Sequence, residues 1–456
     1  MNNYILGLDI GSVDVSAAIA KVTDKHFSIC GIGKSKTSGI RKGSITNIER
    51  AAKSISDAIL EATKSAGTKP DKVIVSISGS YTKSVKSQGI VSVSNQEITL
   101  NEIKRAMQLA KENAVYSKDQ IILHVLPYDF KVDGQEHIED PIGMSGSRLE
   151  VCTHVITANE NSIKNLIKSV EIAGLKIDNM VLSGYASAIS TLNKDEKELG
   201  VALIDMGGAT CDIVVHLGNS LRYNDVLPIG SSSITNDLSH AVNTPLADAE
   251  ELKLNYEKLI SENTRELEVK TMGETSATHT ISLDIITNVI YARIEETLML
   301  LANKLEDSRY IDQLGAGVVL TGGMAKLDDI RNLTTAIFDN IPVRVAKPKK
   351  VAGLYEISDD PANACVVGLC LYGAGEFTPY ELDSKGELKY EDKNLIDNQR
   401  IEYINSYQEE AQTDSINQSA QEKIEDNTSV KLSTVSNKSG EPNSLKKLWN
   451  RLIQLF

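Results

Sequence analysis

Residues 6–12 read LGLDIGS, and the pattern returns at residues 202–208 as ALIDMGG. Each copy is an apolar run ending in Asp-x-Gly-small, and each is followed by a second β-rich stretch, VDVSAAIA after the first and ATCDIVV after the second. One such junction is weak evidence, because Asp-x-Gly is common where strands enter turns. Two copies in the same strand-turn-strand setting predict a duplicated domain that clamps a nucleotide. Glycine at the turn lets the backbone approach a phosphate, so that successive N–H groups face its oxygens, and a hydroxyl or second glycine adds a donor without bulk. Asp9 and Asp205 then face the same phosphates. Carboxylates beside a triphosphate require a hard cation, typically Mg²⁺ holding several waters. A third piece, VVLTGGMAKLDDI at 318–330, predicts a strand, a Gly-Gly turn and a helix start whose backbone can pack under a purine. Each turn alone also reads as an ordinary tight turn, but the three in this order read as one clamp.

Working outward, residues 1 to about 375 alternate strands and helices, which makes the body α/β. Apolar runs at 4–8, 73–78, 201–205 and 317–320 predict buried strands, and helical spacing covers 48–65 and 283–305. The 456-residue chain is 41% hydrophobic, enough for a large core divided over two or more domains. No apolar run approaches the roughly 18 residues needed to cross a bilayer, and the start MNNYILGLDIG enters a strand pattern at once. Neither a membrane span nor an export signal is expected. Cys30, Cys152, Cys211, Cys365 and Cys370 show no CxxC spacing, which predicts reduced cytoplasmic thiols and neither a disulfide framework nor a zinc site. The net charge of −14 argues against a nucleic-acid partner, because phosphate binding needs a basic field.

The charge is uneven. Residues 376–443 carry 15 acidic against 7 basic side chains, and their apolar residues keep neither strand nor helix period. This predicts a disordered acidic linker with an end-to-end distance of about 45 Å. Behind it, residues 444–456 read SLKKLWNRLIQLF. At helical spacing, Leu445, Leu448, Trp449, Leu452, Ile453, Leu455 and Phe456 fill one arc, while Lys446, Lys447, Asn450, Arg451 and Gln454 fill the other. The clean split predicts a membrane-targeting amphipathic helix on anionic lipid; the plainer alternative is a terminal helix packed back on the body.

The order DIGS, DMGGATCD, LTGGMAKLDDI and DPANACVVGL (360–369) resembles the actin-type ATPase superfamily. EDPIGMSGSRLEVCTHVIT at 139–157 and VLPIGSSSITNDLSHAVNTPLADAEELK at 226–253 resemble its FtsA family in particular. The resemblance implies a duplicated actin/DnaK-type ATPase fold, two lobes around a nucleotide cleft. It implies subdomain 1A at 1–83, an inserted subdomain 1C at 84–161, and 1A again at 162–194. Subdomain 2A follows at 195–225, 2B at 226–305, 2A again at 306–358, and a return to 1A at 359–375. By the same resemblance, phosphate contacts fall on Asp9, Gly11, Ser12, Asp205, Gly207, Gly208, Ala209 and Thr210, with Asp212 in the same turn. Adenosine contacts fall on Gly322, Gly323 and Met324. Glu250 and Lys253 would face the ribose and adenine, although a pair one turn apart also reads as a surface ion pair. The implied ligand is ATP, with Mg²⁺ held through water by Asp9 and Asp205.

The implied function is an ATP-binding protein that polymerises on the inner face of the cytoplasmic membrane and tethers FtsZ filaments there during cell division. The implied partners are the FtsZ C-terminal tail at Arg293 and Glu296 of 2B, further copies in a head-to-tail filament, anionic inner-membrane lipid and later division proteins. Two features depart from the superfamily pattern. Asp14 stands where many members place Lys or Ser, and would repel phosphates unless it points away or joins a cation. Ser183, Gly184, Tyr185 and Ala186 stand where many relatives read Glu-Pro-x-Ala; serine is no general base by itself, so hydrolysis is expected to be slow. Alternatives of the same fold are a sugar or acetate kinase, which needs an acceptor-site base, and a pilus-assembly ATP-binding adaptor.

Overall fold

The computed structural model describes residues 3–23, 26–262, 264–273 and 277–390. In the first lobe, strand Asn3–Ile10 pairs antiparallel with Asp14–Val22, which pairs antiparallel with Phe27–Lys36. On its other side Asn3–Ile10 pairs parallel with Lys72–Ile77, and Asn179–Leu182 follows. The short strand Ala352–Gly353 closes the far edge. The second lobe repeats this wiring. Strand Val201–Met206 pairs antiparallel with Cys211–Leu217, then Ser220–Leu227, and parallel with Gly317–Thr321, then Val343–Val345. The inner strands are covered on both faces, which is why they read as near-continuous apolar runs. Asp9 and Asp205 therefore sit near the same end of equivalent strands, and the duplication expected from the two Asp-x-Gly runs is present in the sheets.

Helix Ile48–Ala66 begins at Asn47, whose side chain accepts from the Arg50 N–H, and ends at Gly67 in the left-handed region (φ 66°). Its buried face is mostly alanine, which lets it lie close against Phe27–Lys36. Two further helices, Ser183–Thr191 and Ala364–Gly373, cross in the interior. Every residue of Ser183–Thr191 is buried, and a Cβ on Gly368 would sit 1.8 Å from the Ala186 carbonyl oxygen. The start of Ser183–Thr191 touches the second lobe, since a Cβ on Gly184 would lie 2.9 Å from Val214 Cγ1. Helices Ser231–Ala241, Leu246–Ser261 and Leu283–Ser308, with the hairpin Glu266–Lys270 and Thr278–Ser282, make the outer part of the second lobe.

The inserted segment forms its own antiparallel sheet, in the order Thr82–Ser92, Arg148–Asn159, Gln120–Val132, Gln135–Ile138. Helix Leu100–Asn113 packs on it over a separate core that includes Ile103, Met107, Leu149 and Val151. The insertion also meets the second lobe, where His154 Nε2 and Asn224 Oδ1 are 2.8 Å apart and buried. One boundary differs from expectation. The acidic composition predicts a linker from 376, but residues 376–390 are packed: Tyr380 and Leu382 join the core of the insertion and Glu381 is 0% exposed. Their burial comes from partners far away in sequence, which composition does not register. The rest of the expected linker, from 391, and the helix at 444–456 lie outside the described residues. Among the described residues no helix is long and apolar enough to cross a membrane.

Candidate functional site

Between the lobes lies a cleft of about 530 Å³. All thirteen positions expected to hold nucleotide line it: Asp9, Gly11, Ser12, Asp205, Gly207, Gly208, Ala209, Thr210, Glu250, Lys253, Gly322, Gly323 and Met324. The two Asp-x-Gly loops face each other so closely that a Cβ on Gly208 would lie 2.3 Å from Val13 Cγ2 of the opposite loop. The second loop closes on itself through the Gly207 N–H and the Thr210 carbonyl (2.9 Å). It is stitched to helix Ser231–Ala241, because Ser231 and Ser232 donate their N–H groups to the Gly207 and Gly208 carbonyls at 3.1 and 2.7 Å. Gly322 has φ 89°, and a Cβ there would meet Asp205 Oδ1 at 2.4 Å, so the third turn has no room for another residue.

The carboxylates are the electrostatic problem of the site. Asp205 and Asp212 are direct cross-strand partners, a like-charge arrangement that opposes folding unless something offsets it. Ser187 donates to Asp205 Oδ2 at 2.5 Å, Ser76 to Asp9 Oδ1 at 2.8 Å, and Ser78 to Asp212 Oδ2 at 2.8 Å. Burial, reinforced by Asp9, still pushes Asp205 up to about 6. Burial, then Asp205 and Asp9, pushes Asp212 up to about 8. Asp9 is also raised, by burial against the Ser76 bond. Asp212 Oδ1 is buried without a hydrogen-bond partner. Such a cluster is completed by a positive charge. Among the described residues no group of three or more metal-binding side chains is placed to chelate an ion directly. Asp9, Asp205 and the unpartnered Asp212 Oδ1 are hard oxygen donors of the kind a divalent cation takes.

The doubtful positions now have places. Asp14 pairs with Lys36 Nζ at 2.9 Å, which neutralises it at the rim. Lys34 and Lys36 line the same cleft and supply cations that no motif announced. Glu250 and Lys253 are no bland surface pair: the Lys253 side chain is 8% exposed, and its Nζ donates to Glu250 Oε2 at 2.7 Å and to Thr235 Oγ1 at 3.0 Å. Burial works against the Glu250 charge, but the bonds from Lys253 and Thr235 hold its carboxyl below the usual range. Ser183 opens its helix at the cleft with a buried, unpartnered Oγ, and no carboxylate stands in its place. Tyr185 turns the other way, to Thr378 and Glu381. Met324 is buried beneath the third turn. Arg293 and Glu296 lie outside the cleft on helix Leu283–Ser308, ion-paired to each other, with Arg293 Nε also donating to Asp237 at 2.5 Å. The residues expected to meet the membrane, 445–449, 451–453, 455 and 456, lie outside the described residues.

Sequence reasoning missed the serines that hold the carboxylates. A signal was present: Ser76 and Ser78 are two apart at a strand end and so share a face, and Ser183 and Ser187 are four apart on a helix.

Comparison with known proteins adds two family matches. The family described as "SHS2 domain inserted in FTSA" matches residues 79–157, and "Cell division protein FtsA" matches residues 202–368. The chain is 39% identical to the cell division protein FtsA of Helicobacter pylori (strain J99), covering 86% of each chain. It is 37% identical to that of Pseudomonas aeruginosa, covering 81% of this chain and 89% of the relative. A solved PilM-PilN type IV pilus biogenesis complex matches with a TM-score of 0.57 at 19% identity, over 81% of this chain and 98% of that one. That likeness is one of fold alone, and it agrees with the two sheets of matching wiring.

Proposed function

Because the chain belongs to the FtsA family of cell-division proteins, we propose that it binds ATP with Mg²⁺ in the cleft, assembles head to tail on the inner face of the cytoplasmic membrane, and tethers FtsZ filaments there. The observation that carries the nucleotide part is the convergence of two Asp-x-Gly loops and the Gly322–Gly323 turn on one cleft crowded with carboxylates. A bound Mg²⁺ would screen those carboxylates from the phosphates, with Asp9 and Asp205 holding its waters. Lys34 and Lys36 stand near the first loop, and the Thr235, Glu250 and Lys253 group supports the sugar and base end. With Ser183 in place of a carboxylate, the attacking water has no strong base at that point, so the nucleotide serves chiefly to fix the angle between the lobes and turnover is slow.

A heterologous contact between copies makes an open filament. Many weak lipid anchors on one filament gain avidity without any new contact, so polymerisation and membrane binding reinforce each other. Residues 444–456 are the proposed anchor, and the FtsZ tail is placed at 2B near Arg293 and Glu296. The family matches do not favour the kinase alternative, and the pilus alternative rests on a likeness of fold at 19% identity. Calorimetry with ATP, with and without Mg²⁺, tests the cleft. Sedimentation with anionic vesicles in the presence of FtsZ tests the adaptor role, and failure to carry FtsZ down with the lipid would end that reading.

A further inference from the structure

The stretch 376–390 is a strap with a buried charge at its centre. Its backbone folds back on itself, with the Tyr380 N–H bonded to the Lys389 carbonyl and the Lys389 N–H to the Glu381 carbonyl. Leu382 exchanges both backbone bonds with Val125 of the insertion at 3.0 Å each, so the strap adds a rung to the insertion's sheet. Glu381, beside it, is fully buried. Its Oε1 accepts from the Tyr372 hydroxyl at 2.6 Å and its Oε2 from the Tyr185 hydroxyl at 2.7 Å. Burial and then Glu381 itself push both tyrosine hydroxyls well up, so they remain donors. His124 of the insertion faces the same carboxylate, Nδ1 to Oε1 3.7 Å. On its other side His124 Nε2 accepts the Leu182 N–H at 3.3 Å, which ties the ring to the strand that leads into helix Ser183–Thr191.

The two tyrosines come from the two helices that begin in the cleft. Tyr185 is two residues after Ser183 on one, and Tyr372 lies on the helix whose Cys365 lines the cleft. At Gly368 and Ala186 the two helices are in direct backbone contact, since a Cβ on Gly368 would lie 1.8 Å from the Ala186 carbonyl oxygen. A carboxylate taken out of water persists only where its partners are fixed in place, so displacing either helix disturbs Glu381, the strap and the insertion strand together.

We infer that residues 376–390 are a coupling strap, through which the occupancy of the nucleotide cleft is passed by Glu381 to the inserted subdomain. The inference rests on the cleft binding nucleotide. It is tested on the full chain by hydrogen exchange of residues 84–161 with and without Mg²⁺-ATP, alongside calorimetry. In the native protein, nucleotide should change exchange in strand Gln120–Val132 at least threefold. In Glu381→Gln the protein should still bind ATP with affinity within about threefold of native, while that nucleotide-dependent change is lost. Should Glu381→Gln fail to fold, Tyr185→Phe removes one donor and no charge, and should reduce the change. Failure to bind ATP overturns both the nucleotide reading and the strap. Binding with no change in the insertion of the native protein, or with the full change kept in the folded variants, overturns the strap alone.

Discussion

A side chain at position 208 would have to push the two phosphate loops apart, since its Cβ would fall 2.3 Å from Val13 Cγ2. Gly208→Val should therefore weaken ATP binding while both sheets survive, by about 2 kcal/mol or roughly thirtyfold in affinity. Calorimetry on the folded variant reads this directly, and an unchanged affinity would falsify the placement of phosphate there. Asp212 gives a pH signature. Its folded value is raised to about 8 from an ordinary 3.8. A raised carboxyl contributes stability that is fully present below the unfolded value and is lost as pH rises through the folded one. Between pH 6.5 and 8, then, the nucleotide-free protein should lose thermal stability as pH rises. Asp212→Asn should flatten that slope, and so should Mg²⁺-ATP, because a cation favours the ionised form. Melting curves at three pH values decide it; equal slopes for the two proteins would leave Asp212 without the charge burden described for it.

At the scale of elements, the crossing of Ser183–Thr191 and Ala364–Gly373 is set by a glycine. Gly368→Ala places a methyl 1.8 Å from the Ala186 carbonyl oxygen, in a contact where neither helix can retreat from core. The expected cost is about 3 kcal/mol, or a melting temperature lower by roughly 5 °C, at the upper end for overpacking. Because these helices also carry Ser183 and Cys365 into the cleft, ATP affinity should fall with stability. A variant as stable as the native protein would mean that the helices can slide. The run VVGLCL is apolar on all sides of its helix, so no amphipathic pattern marks which of its faces meets another helix.

For the whole molecule, the end of the body is the informative place. A chain ended after residue 390 keeps the strap and should remain folded and bind ATP, yet should no longer sediment with anionic vesicles. A chain ended after 375 loses Tyr380 and Leu382 from the core of the insertion and should expose residues 84–161 to proteolysis. Equal protease resistance of the two would show that the strap holds nothing. In the full chain, Trp449→Glu sets a charge in the apolar arc of 444–456 and should release the protein from vesicles, whereas neutralising Lys446 and Lys447 should matter chiefly at low salt. Vesicle sedimentation across salt concentrations separates the two effects.

The duplicated lobes and the three glycine turns were readable along the chain, because each depends on local matters: a strand's apolar run and a turn that needs glycine. The individual loop contacts, with Glu250 and Lys253, came instead from a resemblance to a family, and it is the fold that lines one cleft with them. The tertiary structure alone supplied the Lys36 partner of Asp14, the serines beneath the carboxylates, the burial of Lys253 and the strap at 376–390. In each of these the deciding neighbour comes from a distant segment. The strap shows why most plainly. Glu381 and Leu382 sit in a polar stretch with no period of its own, and they are buried only because Tyr185, His124 and Val125 arrive from elsewhere to satisfy a charge and two backbone groups. Composition reports what a segment can bury against itself; it is silent on what the rest of the fold brings to it.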